Sequence, residues 1–194
     1  MSSIKKSNNL SESLGFLSNK RQIITLSVAA SASFILLVAV IYCLVYPVKF
    51  YDIVKRECGK YGISPETVMA VIWTESKFDE KALSPAGAAG LMQIMPDTAR
   101  WCAEKMGINF SSSALFDAEY NIMIGVYYFN YLLRRFPSEK WAAAAYNAGE
   151  GVVKTWLAGS GDIEFSETKK YVDVVAVTSK VYKNRLKFRI FDIL

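Results

Sequence analysis

From Gln22 to Val48 the chain carries no Asp, Glu, Lys or Arg, and within that stretch Ile35, Leu36, Leu37, Val38, Ala39, Val40 and Ile41 form an unbroken apolar run. Coiled as a helix rising about 1.5 Å per residue, it is longer than the roughly 30 Å hydrocarbon core of a bilayer. A helix buried inside a soluble domain rarely continues so far without an ionisable group. A membrane span is therefore predicted over residues 23–47. Lys20 and Arg21 flank its near end, and Tyr42, Tyr46 and Pro47 its far end, where amphipathic rings suit the headgroup layer. Three of the five net positive charges fall in the first 22 residues, where Lys5, Lys6, Lys20 and Arg21 stand against Glu12. Residues 1–22 thus read as a short basic cytoplasmic segment, with residues 48–194 outside the cytoplasm.

Other readings of the apolar run are weaker. Ala30-Ser31-Ala32 supplies the small residues of a signal-peptide cleavage site, but the apolar stretch continues well beyond them. Lipid attachment at Cys43 is disfavoured by bulky Tyr42 before it and apolar residues after it. Outside the first 22 residues the excess charge is only +2, too little for a nucleic-acid footprint, so no nucleic acid is expected as a partner. The chain has no histidine. This excludes serine and cysteine nucleophiles activated by imidazole, histidine-ligated zinc and the two-histidine metalloprotease helix. Acid–base chemistry falls to carboxylates, Lys, Tyr or Cys, and no metal or cofactor is expected. Cys58 and Cys102 lie in the exported part, where disulfides are permitted, but two cysteines in helical patterns do not imply a pair. Free, unreactive thiols are expected.

Residues 50–60 read as a short helix closed by Gly59 and Gly62. Ser64 as N-cap, Pro65 at the first helical position and Glu66 beside the positive helix end start the next. Its Val68, Met69, Val71 and Ile72 supply an inward apolar face, and Glu75 falls near its carboxyl end. Ser84, Pro85, Gly87 and Gly90 mark a tight connection over residues 76–90. Helices follow from Pro96 to about Gly107, from an Asp117 cap to Arg135, over Trp141–Asn147 and Val152–Leu157, and from Ser166 towards Lys187. The tyrosines at 120, 127, 128 and 131 read mostly as core or helix-contact residues. No sustained period-two alternation occurs, so the fold class is mainly α, without a sheet.

Alone, Glu75 is an unremarkable helix-end carboxylate. Its surroundings give it chemistry. Val71-Ile72-Trp73-Thr74 leads into it, and the following connection is rich in small residues that permit close backbone and substrate approach. A carboxyl group beside such surface loses hydration, which raises its pKa and keeps its proton near neutral pH, as a general acid requires.

The sequence resembles the soluble lytic transglycosylase family in several motifs: Glu75-Ser76, Ser84-Pro85, Gly87-Ala88, Gly90-Leu91-Met92-Gln93-Ile94-Met95-Pro96, Ala145-Tyr146-Asn147-Ala148-Gly149, and Phe165-Ser166-Glu167-Thr168 followed by Tyr171-Val172. The likeness covers about residues 60–185. It implies a lysozyme-like helical domain with a glycan groove, here following a single transmembrane helix. It also implies cleavage of the β-1,4 bond between N-acetylmuramic acid and N-acetylglucosamine in peptidoglycan, leaving a 1,6-anhydromuramic end instead of adding water. By the same resemblance Glu75 is the single acid/base, and Ser84 hydrogen-bonds that carboxyl group or the substrate. Gln93 and Met95 contact sugar rings and acetamido groups, Tyr146 stands near the reacting sugar with Asn147 supporting it, and Glu167 is a second acidic residue of the groove. Met92 and Met95 read equally well as core side chains, Tyr146 has a core alternative, and Glu167 has a helix-start alternative. Asp79, four residues after Glu75, is the rival second carboxylate of a hydrolase, disfavoured because the helix should end near Ser76. Glu164 stands where the family often has proline. The implied partners are peptidoglycan strands and, through residues 23–47, the lipid bilayer. A water-using muramidase and a non-catalytic glycan-binding scaffold are the competing functions.

Overall fold

A computed structural model describes residues 2–187, with side chains from Asn19 onward. It divides into two compact units, Met1–Pro47 and Val48–Leu194. Residues 188–194, which belong to the exported domain by sequence, lie outside the described residues.

The first unit is one helix, α1 (Ser2–Val45). Residues 2–22 contain no proline to break it, so the basic segment and the apolar run share a continuous backbone. It stops two residues short of the expected span, because Tyr46 precedes Pro47 and a residue before proline avoids the helical region. Within it Asn19–Val45 has no buried residue and contains an 18-residue window of mean hydropathy 2.6, so it is long and apolar enough to cross a membrane. Two of its hydroxyls are satisfied internally: Thr25 donates to the Arg21 carbonyl and Ser31 to that of Ser27, both at 2.9 Å.

The second unit contains α2 (Tyr51–Gly59), α3 (Pro65–Ser76), α4 (Pro96–Met106), α5 (Ala118–Leu133), α6 (Glu139–Ala148), α7 (Glu150–Ala158) and α8 (Ser166–Lys187). A 3₁₀ turn over Ser113–Phe116, not anticipated from the sequence, precedes α5. Strand pairing among the described residues is limited to isolated antiparallel bridges, Leu83 with Ala89 and Ala89 with Ile94.

The sequence pattern predicts one buried face for α3. The structure instead buries six consecutive residues, Thr67 to Ile72, so this helix runs through the middle of the domain. It packs most extensively on α8, whose Tyr171, Val172, Val175 and Tyr182 are all buried. Helix α6 meets α5, α7 and α8, and its buried Ala142–Ala145 present no bulk to hold these neighbours away. Ser64 precedes α3 as expected but does not cap it with its side chain; its hydroxyl bonds instead to the Glu66 carboxylate. The Asp117 cap of α5 forms as expected, accepting the Tyr120 N–H at 2.9 Å.

Helix α3 ends abruptly. Lys77 and Phe78 both adopt left-handed backbone, φ 53° and 65°, turning the chain immediately after Glu75-Ser76. Such a conformation is unfavourable for residues with a Cβ and needs surrounding contacts to hold it. Phe78 is buried against Tyr182, and the Ser76 hydroxyl donates to the Leu91 carbonyl at 2.8 Å, tying the helix end to the loop that follows.

Candidate active site

Glu75 is thus presented on the last turn of a buried helix. Its side chain is half-buried, and Oε1 accepts a 2.7 Å hydrogen bond from the Tyr171 hydroxyl of α8. Loss of hydration raises its pKa to about 7, with the Tyr171 bond pulling partly the other way. No neighbouring charge contributes to that shift. Tyr171 and Tyr146 are both held well above the usual phenol range, first by burial and then by the charge of Glu75, so both remain neutral donors beside it. Tyr146 also acts on Tyr171, which places all three groups in one cluster.

The loop that follows α3 is held largely by its own backbone hydrogen bonds. Ser84 and Ala88 pair at 2.9 Å, Gly87 N–H donates to the Ser84 carbonyl, and Gly90 N–H reaches the Ala82 carbonyl at 2.8 Å. Asn121 of α5, fully buried, then clamps the loop: it accepts the Met92 N–H at 2.8 Å and donates to the carbonyls of Ala89 and Leu115. Glycine is required at position 90, where a Cβ would lie 2.1 Å from the Leu115 carbonyl oxygen and 2.3 Å from Asn121 Nδ2. At Gly125 a Cβ would lie 2.3 Å from the Met92 sulfur, so α5 offers that side chain a seat. From the other side the Tyr146 hydroxyl donates to the Met92 carbonyl at 2.7 Å. The Met92 backbone is therefore gripped at its N–H by Asn121 and at its C=O by Tyr146.

The residues singled out in the sequence occupy different positions around this cluster. Tyr146 stands with Glu75, its ring packed on Tyr128 at 5.5 Å and Phe129 at 5.9 Å. The Ser84 oxygen accepts the Ala88 N–H at 2.9 Å, holding its own turn. The Gln93 amide donates to the carbonyls of Ala82 and Gly90 while its backbone sits at φ 47°, so its NH₂ is used in loop closure. The methionines separate, with Met92 fully buried and Met95 exposed at the start of α4. Asn147 accepts the Thr168 hydroxyl at 2.8 Å, joining α6 to α8, and Glu167 is exposed in the first turn of α8. Asp79 is exposed and accepts the Lys81 N–H in a local turn. Cys58 and Cys102 are free, buried and raised to about 12 by burial, so both thiols stay protonated.

Tyr171 received no role in the sequence analysis, although a signal was present. It lies on the apolar stripe of α8 with Thr168, Val172 and Val175, and a buried phenol there needs a partner. Asn121, a lone amide within the apolar face of α5, carried the same signal.

Residues 52–169 match the transglycosylase SLT domain, and the chain belongs to that family. It is 38% identical over 151 residues to the soluble lytic murein transglycosylase of Escherichia coli K12, a match covering 71% of this chain and 23% of that protein. It is 32% identical over 133 residues to membrane-bound lytic murein transglycosylase C of Histophilus somni strain 2336, covering 63% of this chain and 37% of the relative. The crystal structure of the 70-kDa soluble lytic transglycosylase of E. coli superposes with a TM-score of 0.69 at 36% identity, over 73% of this chain and 25% of that one. The chain thus spans about a quarter of the soluble relative and carries the expected lysozyme-like helical fold.

Proposed function

We propose that this protein is a membrane-anchored lytic transglycosylase that cleaves the β-1,4 bond between N-acetylmuramic acid and N-acetylglucosamine in peptidoglycan. The observation that carries this reading is the state of Glu75: a lone carboxyl group at the end of a buried helix, raised to about 7 by desolvation and oriented by Tyr171. Near neutral pH both its protonated and ionised forms are accessible, as a group that first gives and then takes a proton requires.

Protonated Glu75 donates to the glycosidic oxygen as the bond to the muramic anomeric carbon breaks through an oxocarbenium-like state. The resulting carboxylate removes the proton from the 6-hydroxyl of the same sugar. That oxygen closes on the anomeric carbon to form the 1,6-anhydro ring, and Glu75 regains its proton. Because the nucleophile is already part of the substrate, no second carboxylate is needed to activate water. The exposure of Asp79 and its engagement in a local turn support that single-acid reading.

In this reading Tyr146 lies beside the reacting sugar, and Met95 offers an apolar contact on the surface. Ser84 and Gln93 shape the loop and meet the substrate with the hydrogen-bonding capacity their loop contacts leave free, while Asn147 and Glu167 lie at the α6–α8 edge. Residues 23–47 hold the protein in the bilayer with the amino terminus in the cytoplasm and residues 48–194 on the cell-wall side; the basic residues before the span and the tyrosines at its far end support this orientation. Mass spectrometry of purified wall glycan digested by the full chain tests the reaction. Anhydromuramic ends are expected, whereas reducing ends carrying added water would make the protein a muramidase.

A further inference from the structure

Helix α5 buries Ile122, Ile124, Val126, Phe129 and Leu132, and among these apolar side chains it also buries one amide completely, that of Asn121. A buried amide lowers stability unless its hydrogen-bonding groups find partners. Those of Asn121 do. Its Oδ1 accepts the Met92 N–H at 2.8 Å, and its Nδ2 donates to the Ala89 and Leu115 carbonyls at 2.9 and 2.8 Å. These partners fix which end of the amide is which, because an N–H must meet the oxygen and carbonyls must meet the NH₂.

Met92, the residue so held, links the acid's helix to Tyr146. The peptide between Leu91 and Met92 is bonded at both ends: its N–H goes to Asn121, and its carbonyl accepts at 2.8 Å from the hydroxyl of Ser76, one residue after Glu75. Ser76, this peptide and the Asn121 amide form one line of hydrogen bonds in which each polarises the next. The following carbonyl, that of Met92, accepts from the Tyr146 hydroxyl at 2.7 Å. The arrangement has little slack, since a Cβ added at Gly90 would lie 2.1 Å from the Leu115 carbonyl oxygen and one at Gly125 would lie 2.3 Å from the Met92 sulfur. A phenol has a single proton to donate. Tyr146 gives it to Met92, while Glu75 takes its bond from Tyr171.

We infer that Asn121 is a positioning residue for the proposed reaction: by fixing Met92 it sets the direction of the Tyr146 hydroxyl beside the acid. This role rests on the glycan-cleaving reading and adds to it a residue that the sugar never meets. A displacement of about 1 Å in such a group is enough to cost about 10²-fold in rate.

The test uses the full chain in detergent micelles acting on soluble, uncrosslinked peptidoglycan strands. Asn121→Ala should lower kcat by about 10–100-fold and leave KM within about threefold of the parent. In a Tyr146→Phe background the same substitution should cost less than about threefold, because the hydroxyl it directs is gone. Thermal unfolding sets a temperature at which every variant is folded; should Asn121→Ala not fold, Asn121→Ser, which restores a small polar group, takes its place. A readout that needs no turnover is the carbon-13 resonance of Tyr146 Cζ, assigned by its absence in Tyr146→Phe, which should shift in the Asn121 variant. An unchanged resonance, a kcat within about twofold of the parent, or equal losses in the two backgrounds would overturn the role. Absence of anhydro ends from the parent protein would instead defeat the proposed reaction, and the resonance would still report whether Asn121 directs Tyr146.

Discussion

Residues 23–45 of helix α1 and helix α3 are both apolar nearly all round, but the first are exposed and the second is buried. In α1 the side chains of Phe34, Ile35 and Leu36 are 66%, 67% and 65% exposed, whereas Val68 to Ile72 of α3 are fully buried by protein. A helix without a polar face must be covered by something. For α3, twelve residues long, the cover is α2, α8 and the rest of the domain; the apolar part of α1 is long enough to cross a membrane and has no buried residue. The difference explains where a carboxylate is useful. In the span no acidic residue occurs between Gln22 and Val48. In α3 Glu66 lies in the first turn, while Glu75 sits at the far end, close enough to the apolar interior to lose hydration and near enough to the surface to exchange its proton.

The largest effect expected from disturbing this contrast is at Glu75 itself. Glu75→Gln keeps the shape and removes the titrating proton, so glycan cleavage should fall by about 10²–10⁴-fold, measured as release of soluble muropeptides by the full chain. Next comes the covering of each helix. Ile72→Ala should cost the domain about 2–5 kcal/mol in denaturant unfolding, while Leu36→Ala in α1 should change the unfolding of the same domain by less than about 0.5 kcal/mol. Equal losses at the two positions would mean that α1 is packed against protein.

A smaller effect separates activity from stability. Because the folded pKa of Glu75 lies above its ordinary value of 4.5, unfolding above that pH releases a proton and is favoured. Glu75→Gln should therefore unfold at higher temperature than the parent. The gap should grow from pH 4.5 to about 7 and stay level above, reaching on the order of 3 kcal/mol. The smallest expected effect belongs to Tyr171→Phe. Removing the 2.7 Å bond takes away the influence that lowers the Glu75 pKa, so the descending limb of the pH–rate profile should move to higher pH by less than about one unit.

What the sequence made legible follows the same contrast. The long apolar helix, the helix order and the place of Glu75 at a helix end could be read because each depends on local signals: an uncharged run, proline and glycine at helix ends, an aspartate cap. The site's second layer was not legible, since it depends on which polar groups find each other across the fold. Ser84 and Gln93 were expected to face the carboxyl group or the sugar, and part of their hydrogen bonding closes the loop. Tyr171 reaches Glu75 from 96 positions away, and Asn121 reaches Met92 from 29 away. The tyrosines of α5 share one helical stripe, but only the course of α4 and α7 around them decides that Tyr128 and Tyr131 line a cavity.

The central claim is that protein packing, with no help from another charge, holds the Glu75 proton near neutral pH. Carbon-13 NMR of the glutamate side-chain carboxyl groups, with Glu75 assigned by its absence in Glu75→Gln, reads this directly. The account predicts a midpoint near pH 7 for that carboxyl; a midpoint between about 4 and 5, the range of a solvated glutamate, would contradict it.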